Sequence, residues 1–143
     1  AIVDQQGSIF EPRVQGFRVG QTVQMKNGDP FIHNVRSLSR ANPMFNIVQP
    51  ASTPDREKIF EKAEGPITIK CDFHRWMTAY LWVMDHPFFA VTDREGRFSI
   101  PGLPAGKYTL AAWHEVLGEQ EMRVMVGKGP PPAAGFTFGP RKE

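Results

Sequence analysis

The chain of 143 residues contains one cysteine, Cys71, so no internal disulfide can staple it. Long apolar runs are missing as well. The longest, Ala79 to Met84, falls far short of the roughly 20 residues that cross a bilayer as a helix, and no transmembrane segment is expected. Charge of one sign is also lacking: 17 Lys and Arg against 15 Asp and Glu leave a net charge of +2. Without a basic tract, nucleic-acid binding is not expected. With 13 Gly and 13 Pro, turn formers stay below the roughly 25–30% that marks low-complexity chains. The start at Ala1, without a Met or a signal-like apolar segment, reads as a mature or trimmed product.

What is present is a folding sequence of single-domain length, with room for a small appendage. Short apolar stretches alternate with Gly, Pro and Asn turns, the pattern of an all-β protein. Val23 and Met25 alternate before Asn27-Gly28, as do Ile67, Ile69 and Cys71 after Gly65-Pro66. Tyr80 to Met84 reads as a strand covered on both faces. Further strands are expected at Phe98-Ser99-Ile100, at Tyr108, Leu110 and Ala112, and at Met122, Val124 and Val126. Thr53 to Ala63 stays ambiguous between a helical turn and a strand. From Gly127 the chain, with Pro130-Pro131-Pro132 and a final Arg141-Lys142-Glu143, has no core-forming period and is expected to run extended.

The chemistry gathers in Cys71-Asp72-Phe73-His74-Arg75-Trp76-Met77, which spaces a thiolate, an imidazole and a thioether three residues apart. His33, in Asp29-Pro30-Phe31-Ile32-His33-Asn34-Val35, offers a second imidazole. Two imidazoles, one thiolate and a weak axial thioether describe a blue-copper electron-transfer site. Soft sulfur donors suit Cu(I), imidazole suits both oxidation states, and zinc more often recruits a second Cys or a carboxylate. Against this stands the plain alternative, a buried Cys near a His with Met as an ordinary gap filler.

Phe10-Glu11-Pro12, Val19-Gly20-Gln21-Thr22-Val23, Asn27, His33-Asn34-Val35 and Cys71-x-x-His74-x-x-Met77 together resemble the cupredoxins, in particular the plastocyanin, pseudoazurin and amicyanin group. The resemblance spans residues 9 to about 84, and implies a Greek-key β-sandwich. It implies one type 1 copper ion held by His33, Cys71 and His74, with Met77 as axial ligand. Asn34 would tie the two ligand loops together, and His74 would be the more exposed ligand, where electrons leave. Single-electron transport follows, with redox proteins such as c-type cytochromes or a membrane electron-transfer complex as partners, in the periplasm or another exported setting. A four-ligand site leaves no position for substrate, so no enzymatic activity is expected.

Beyond Asp85-His86-Pro87 the chain outruns a small cupredoxin. Thr92 to Leu110, with Pro101-Gly102 and Pro104-Ala105-Gly106, resembles the carboxypeptidase regulatory-like, or transthyretin-like, β module, whose members are adhesive or structural. The resulting division is a copper domain at 1–86, a regulatory-like segment at 87–127 and a Pro-rich tail at 128–143. About forty residues without a disulfide cannot fold alone, so the segment is expected to pack on the first as one cooperative unit. His86 and His114 read as strand-end hydrogen-bonding residues; either, with Glu115, is also a candidate for additional metal binding. Trp76, Trp82 and Trp113 could shield the ligand loop or simply pack, and Arg75 could meet an acidic redox partner. A different reading makes the chain a structural or docking subunit of a larger membrane redox assembly, with a retained or degenerate copper site. Scattered Met residues argue against a copper store.

Overall fold

The computed structural model describes residues 1–140; Arg141, Lys142 and Glu143, the end of the expected tail, lie outside the described residues. Among the described residues there are eleven strands and no helix, so none long and apolar enough to cross a membrane. The chain divides into two compact units, Ala1–Ser99 and a second that begins at Ile100.

Nine strands build the first unit. One sheet has the order β2 (Ile9–Glu11), β1 (Ile2–Gln6), β4 (Thr22–Asn27), β7 (Arg56–Ile59). The other runs β3 (Val14–Arg18), β9 (Thr78–Met84), β8 (Glu64–Lys70), β5 (His33–Ser37), β6 (Asn46–Gln49). Two parallel pairings, β1 with β4 and β3 with β9, sit among antiparallel ones. The ambiguous stretch before Gly65 is therefore strand: β7 pairs Arg56 to Ile59 with Met25 to Thr22.

Alternation decides which side chains meet between the sheets. Val3, Val23, Met25, Val35, Ile67, Ile69, Ala79, Leu81 and Val83 point inward, with Phe10, Phe17 and Phe60 closing the core. Each buried Val or Leu contributes about 1.5–3 kcal/mol of transfer free energy. The same period carries beyond the strand ends. Cys71 follows Ile67 and Ile69 in phase, Met77 precedes Ala79 in phase, and both are buried in the core cluster. The loop between them thus springs from the mouth of the β8–β9 hairpin, whose last pair is Lys70 with Thr78.

On the opposite face of β9 the rings of the chain lie on glycine. Trp82 covers Gly65, and Phe89 covers Gly16 so closely that a Cβ there would stand 2.7 Å from the ring. Residues 85–99 accordingly pack as part of the first unit, although the sequence reading assigns 87–99 to the following segment. Phe98-Ser99-Ile100, expected as a strand, is irregular. The Asp93 carboxylate accepts the Glu95 and Arg97 amides and fixes a turn just before it, while Pro101, with no N–H, ends it.

In the second unit β10 (Gly106–His114) and β11 (Gly118–Val126) pair antiparallel over nine positions. Gly118, with φ of 84°, takes the left-handed conformation that turns the chain into β11. The described part of the tail is without strand and crosses its own hairpin: Gln120 Nε2 donates to the Thr137 carbonyl at 2.9 Å.

Candidate metal centre

Three elements at one end of the sandwich supply the donors. His33 opens β5, Cys71 follows β8, and His74 stands at the apex of the β8–β9 loop. That loop is closed on itself, because the Met77 amide donates to the His74 carbonyl at 3.0 Å and the Cys71 amide to the Met77 carbonyl at 3.4 Å.

The Nδ1 atoms of His33 and His74 are 3.0 Å apart, and Cys71 Sγ is 3.8 Å from each. Metal–nitrogen and metal–sulfur bonds of roughly 2.0 and 2.3 Å place donors around one ion about 3–4 Å from each other, and all three separations fall there. Among the described residues these three form the only cluster of three or more His, Cys, Asp or Glu with a metal-binding arrangement. Two imidazoles and one thiolate suit a soft-to-borderline ion, copper before magnesium or calcium. His33 and Cys71 are buried and His74 is half-buried, so one imidazole reaches the surface.

Hydrogen bonds from the neighbouring residues hold the candidate donors. Asn34, beside His33, accepts the Asp72 amide at 2.6 Å and donates to the Asp72 carboxylate and to Asn46 Oδ1, both at 2.8 Å. It thereby links β5 to the residue that follows Cys71. Arg36 Nη2 pairs with the other Asp72 oxygen at 3.0 Å.

The sequence reading gives no role to Asp29, yet its Oδ2 lies 2.8 Å from His33 Nε2. The Gly7 and Ser8 amides donate to the two Asp29 oxygens at 2.7 and 2.9 Å. Both Gly7 and Ser8 have positive φ, as a two-residue turn between β1 and β2 requires. Their successive N–H groups form a small anion nest. Burial would raise the Asp29 pKa, but the Ser8 amide, His33 and the Gly7 amide outweigh it and hold the carboxyl below its ordinary range. Only the pair Gly7-Ser8 between apolar alternations signals this in the sequence, and it says nothing about which carboxylate it binds.

Aromatic side chains ring the donors. Phe31, which the sequence reading also passes over, has its ring centroid 5.2 Å from that of His33 and 5.9 Å from that of His74. Trp76 lies 5.2 Å from His74 and donates through Nε1 to the Ser8 carbonyl. Phe31, Phe73 and Trp76 remain exposed, Trp76 by 64%. Met77 is 1% exposed within the core. The remaining candidates are not drawn into a cluster. His86 Nδ1 accepts the Phe88 amide, and His114 Nδ1 accepts the Val116 and Leu117 amides, each within its own turn. Glu115 joins no cluster of metal-binding type among the described residues.

No family model matches the chain, and no curated protein matches it. Solved structures do. A purple cupredoxin from Nitrosopumilus maritimus is 24% identical over 59% of this chain and 99% of its own, with a TM-score of 0.49. A reduced amicyanin variant is 22% identical over 58% of this chain and 80% of its own, with a TM-score of 0.50. A copper-containing nitrite reductase from Thermus scotoductus is 24% identical, with a TM-score of 0.48, but the match covers 58% of this chain and only 22% of that one. The likeness to amicyanin shows the fold: the chain is all-β and carries a cupredoxin sandwich.

Proposed function

We propose that this protein is a type 1 copper electron-transfer protein. The observation that carries the reading is the triangle of His33 Nδ1, His74 Nδ1 and Cys71 Sγ, with sides of 3.0, 3.8 and 3.8 Å, at one end of a β-sandwich with two of its three corners buried. Bound there, copper would supply a one-electron couple whose potential the Cys71 thiolate and a thioether would tune. Met77, buried at the foot of the same loop, would offer its thioether as the further, weaker donor. The chain's own residues hold the donors still: Asn34 ties the loops, Asp29 orients His33, and the sheets resist movement when charge changes.

Half-buried His74, collared by Phe31 and Trp76, is the port through which electrons pass. An apolar collar excludes water at a docked interface, and exposed Arg75 suits an acidic rim on the partner. The partner is a redox protein, a c-type cytochrome or a membrane electron-transfer complex, in a periplasmic or exported setting. With the donors engaged on one ion no position is left for substrate, so the reading is of a carrier without turnover. The stretch Thr92 to Leu110, which resembles a regulatory-like β module, takes an adhesive or structural part.

Titration of the metal-free protein with Cu(II) tests this. The expected result is one copper per chain with an intense visible thiolate-to-copper charge-transfer band, lost in Cys71→Ser. A colourless Cu(II) complex, or no binding, overturns it.

A further inference from the structure

The second unit poses a question of its own, independent of copper. A two-stranded ribbon is marginal in water, and three or more strands give a sheet its stability. Among the described residues β10 and β11 pair only with each other. Each therefore has an edge with no strand beside it, a template for another chain.

β11 carries a charge pattern suited to one such chain. Glu119, Glu121, Arg123 and Met125 share one face of the strand and are exposed, while Gln120, Met122, Val124 and Val126 on the other are half-buried. We propose that two copies of this protein associate through the free edges of β11, antiparallel and centred on Met122, to form a continuous four-stranded sheet.

The register follows from the residues. Met122 is the midpoint of Gly118–Val126, so all nine positions find partners. Glu121 then faces the partner's Arg123, and Arg123 faces the partner's Glu121, giving two opposite-charge cross-strand pairs by symmetry. Glu119 faces the partner's Met125, and Gln120 faces the partner's Val124. Moving the centre to Glu121 keeps Glu119 opposite the partner's Arg123 but sets Glu121 against its own copy and leaves Met125 and Val126 outside the paired positions, and moving it to Arg123 sets Arg123 against its own copy with no opposite-charge pair. A parallel arrangement in register opposes every charge to its like. Directly opposed like charges destabilise a sheet and opposite charges stabilise it, so the sequence Glu-Gln-Glu-Met-Arg selects one arrangement. The equivalent pairing of β10, centred on Leu110, sets Thr109 against the partner's Ala111 and Lys107 against the partner's Trp113, with no charge complementarity. An isologous contact of this kind closes at two copies on the β11 side.

Sedimentation velocity of the full chain over a wide concentration range, at low and high salt, tests the proposal. Wild type is expected to dimerise, more weakly at high salt. Either single variant, Glu121→Arg or Arg123→Glu, is expected to raise the dimer dissociation constant at least about tenfold, because each places two like-charge pairs in the sheet. An equimolar mixture of the two variants restores opposite pairs at both positions and is expected to dimerise like wild type. This restoration reads the pairing itself, even where one variant loses stability. A wild type that stays monomeric at every concentration overturns the proposal. So do single variants that dimerise as wild type does, or a mixture that gains nothing over its components.

Discussion

Asp29 Oδ2 stands 2.8 Å from His33 Nε2, in a buried contact four residues along the chain. An ionised carboxylate only accepts, so Nε2 donates to Asp29, and Nδ1 is the nitrogen that faces Cys71 and His74. A carboxylate bound to the far nitrogen fixes the ring and raises its basicity as a ligand. The nest formed by Gly7 and Ser8 keeps that carboxylate charged.

Two Asp29 variants separate orientation from charge. Asp29→Asn keeps an acceptor for Nε2–H and removes one negative charge near the centre; the reduction potential of the copper-loaded protein is expected to rise, because the more highly charged oxidised state loses more stabilisation. Asp29→Ala removes the acceptor too, and copper affinity is expected to fall about ten- to a hundredfold. Competitive copper titration and potentiometry provide the check. Unchanged potential and affinity in both variants would reduce Asp29 to a turn anchor.

Asn34→Ala is expected to destabilise the metal-free protein by about 2–3 kcal/mol. It deletes the acceptor of the Asp72 amide and the donor to Asp72 and Asn46, three part-buried hydrogen bonds of about 0.5–1.5 kcal/mol each. The melting temperature then falls by roughly 5–10 °C. Asn34→Asp is expected to be worse, because it swaps the donor for a carboxylate facing Asp72 Oδ2 and Asn46 Oδ1. Thermal unfolding followed by circular dichroism decides; a melting point equal to wild type in both would show that the link between the loops carries no strain-bearing role.

The candidate donors are legible in the sequence because they sit on patterns. Cys71 continues the two-residue period of Ile67 and Ile69, His74 and Met77 follow at threes, and His33 stands at the head of an apolar strand. The structure brings His33, Cys71 and His74 together, and the all-β class follows from the same alternation. Asp29 is not legible, because its role depends on a turn 21 and 22 residues upstream that only tertiary folding brings to it. Nor is the placement of residues 87–99, which hangs on Phe89 finding Gly16, a contact with no local periodicity. Phe98-Ser99-Ile100 shows the opposite failure: an apolar triplet that reads as strand has no partner and stops at a proline.

Met77→Leu tests the axial assignment. Met and Leu are close in volume, so in this buried position the swap is expected to cost less than about 1.5 kcal/mol. Taking away one donor and setting an apolar side chain in its place is expected to disfavour the more highly charged oxidised ion, and so to raise the reduction potential while the visible band persists. Potentiometry of the copper-loaded variant checks the direction. A potential equal to wild type would make Met77 a core residue and nothing more.

Glu64 governs how the scaffold meets acid. It accepts the Ser39 hydroxyl at 2.5 Å, the Arg40 amide, and the Asn42 amide and side-chain nitrogen at 3.2 and 3.0 Å. Asn42 in turn accepts the Glu61 and Lys62 amides. Burial would raise the Glu64 pKa, but the Ser39 hydroxyl, the Arg40 amide and Asn42 prevail and lower it from 4.5 to about 2. A depressed carboxyl contributes stability that is fully present above its unfolded value and lost as pH falls toward the folded one. The contribution of Glu64 is therefore complete above about pH 4.5 and fades between there and about pH 2. Glu64→Gln is expected to lose about 2 kcal/mol at neutral pH, the order of one charge-assisted hydrogen bond. The gap between wild type and variant, read from urea denaturation at a series of pH values, should narrow steadily from about pH 4.5 downward. A gap that stays constant across that window would mean that Glu64 titrates alike folded and unfolded, and that the loop it holds is fixed by its neighbours instead.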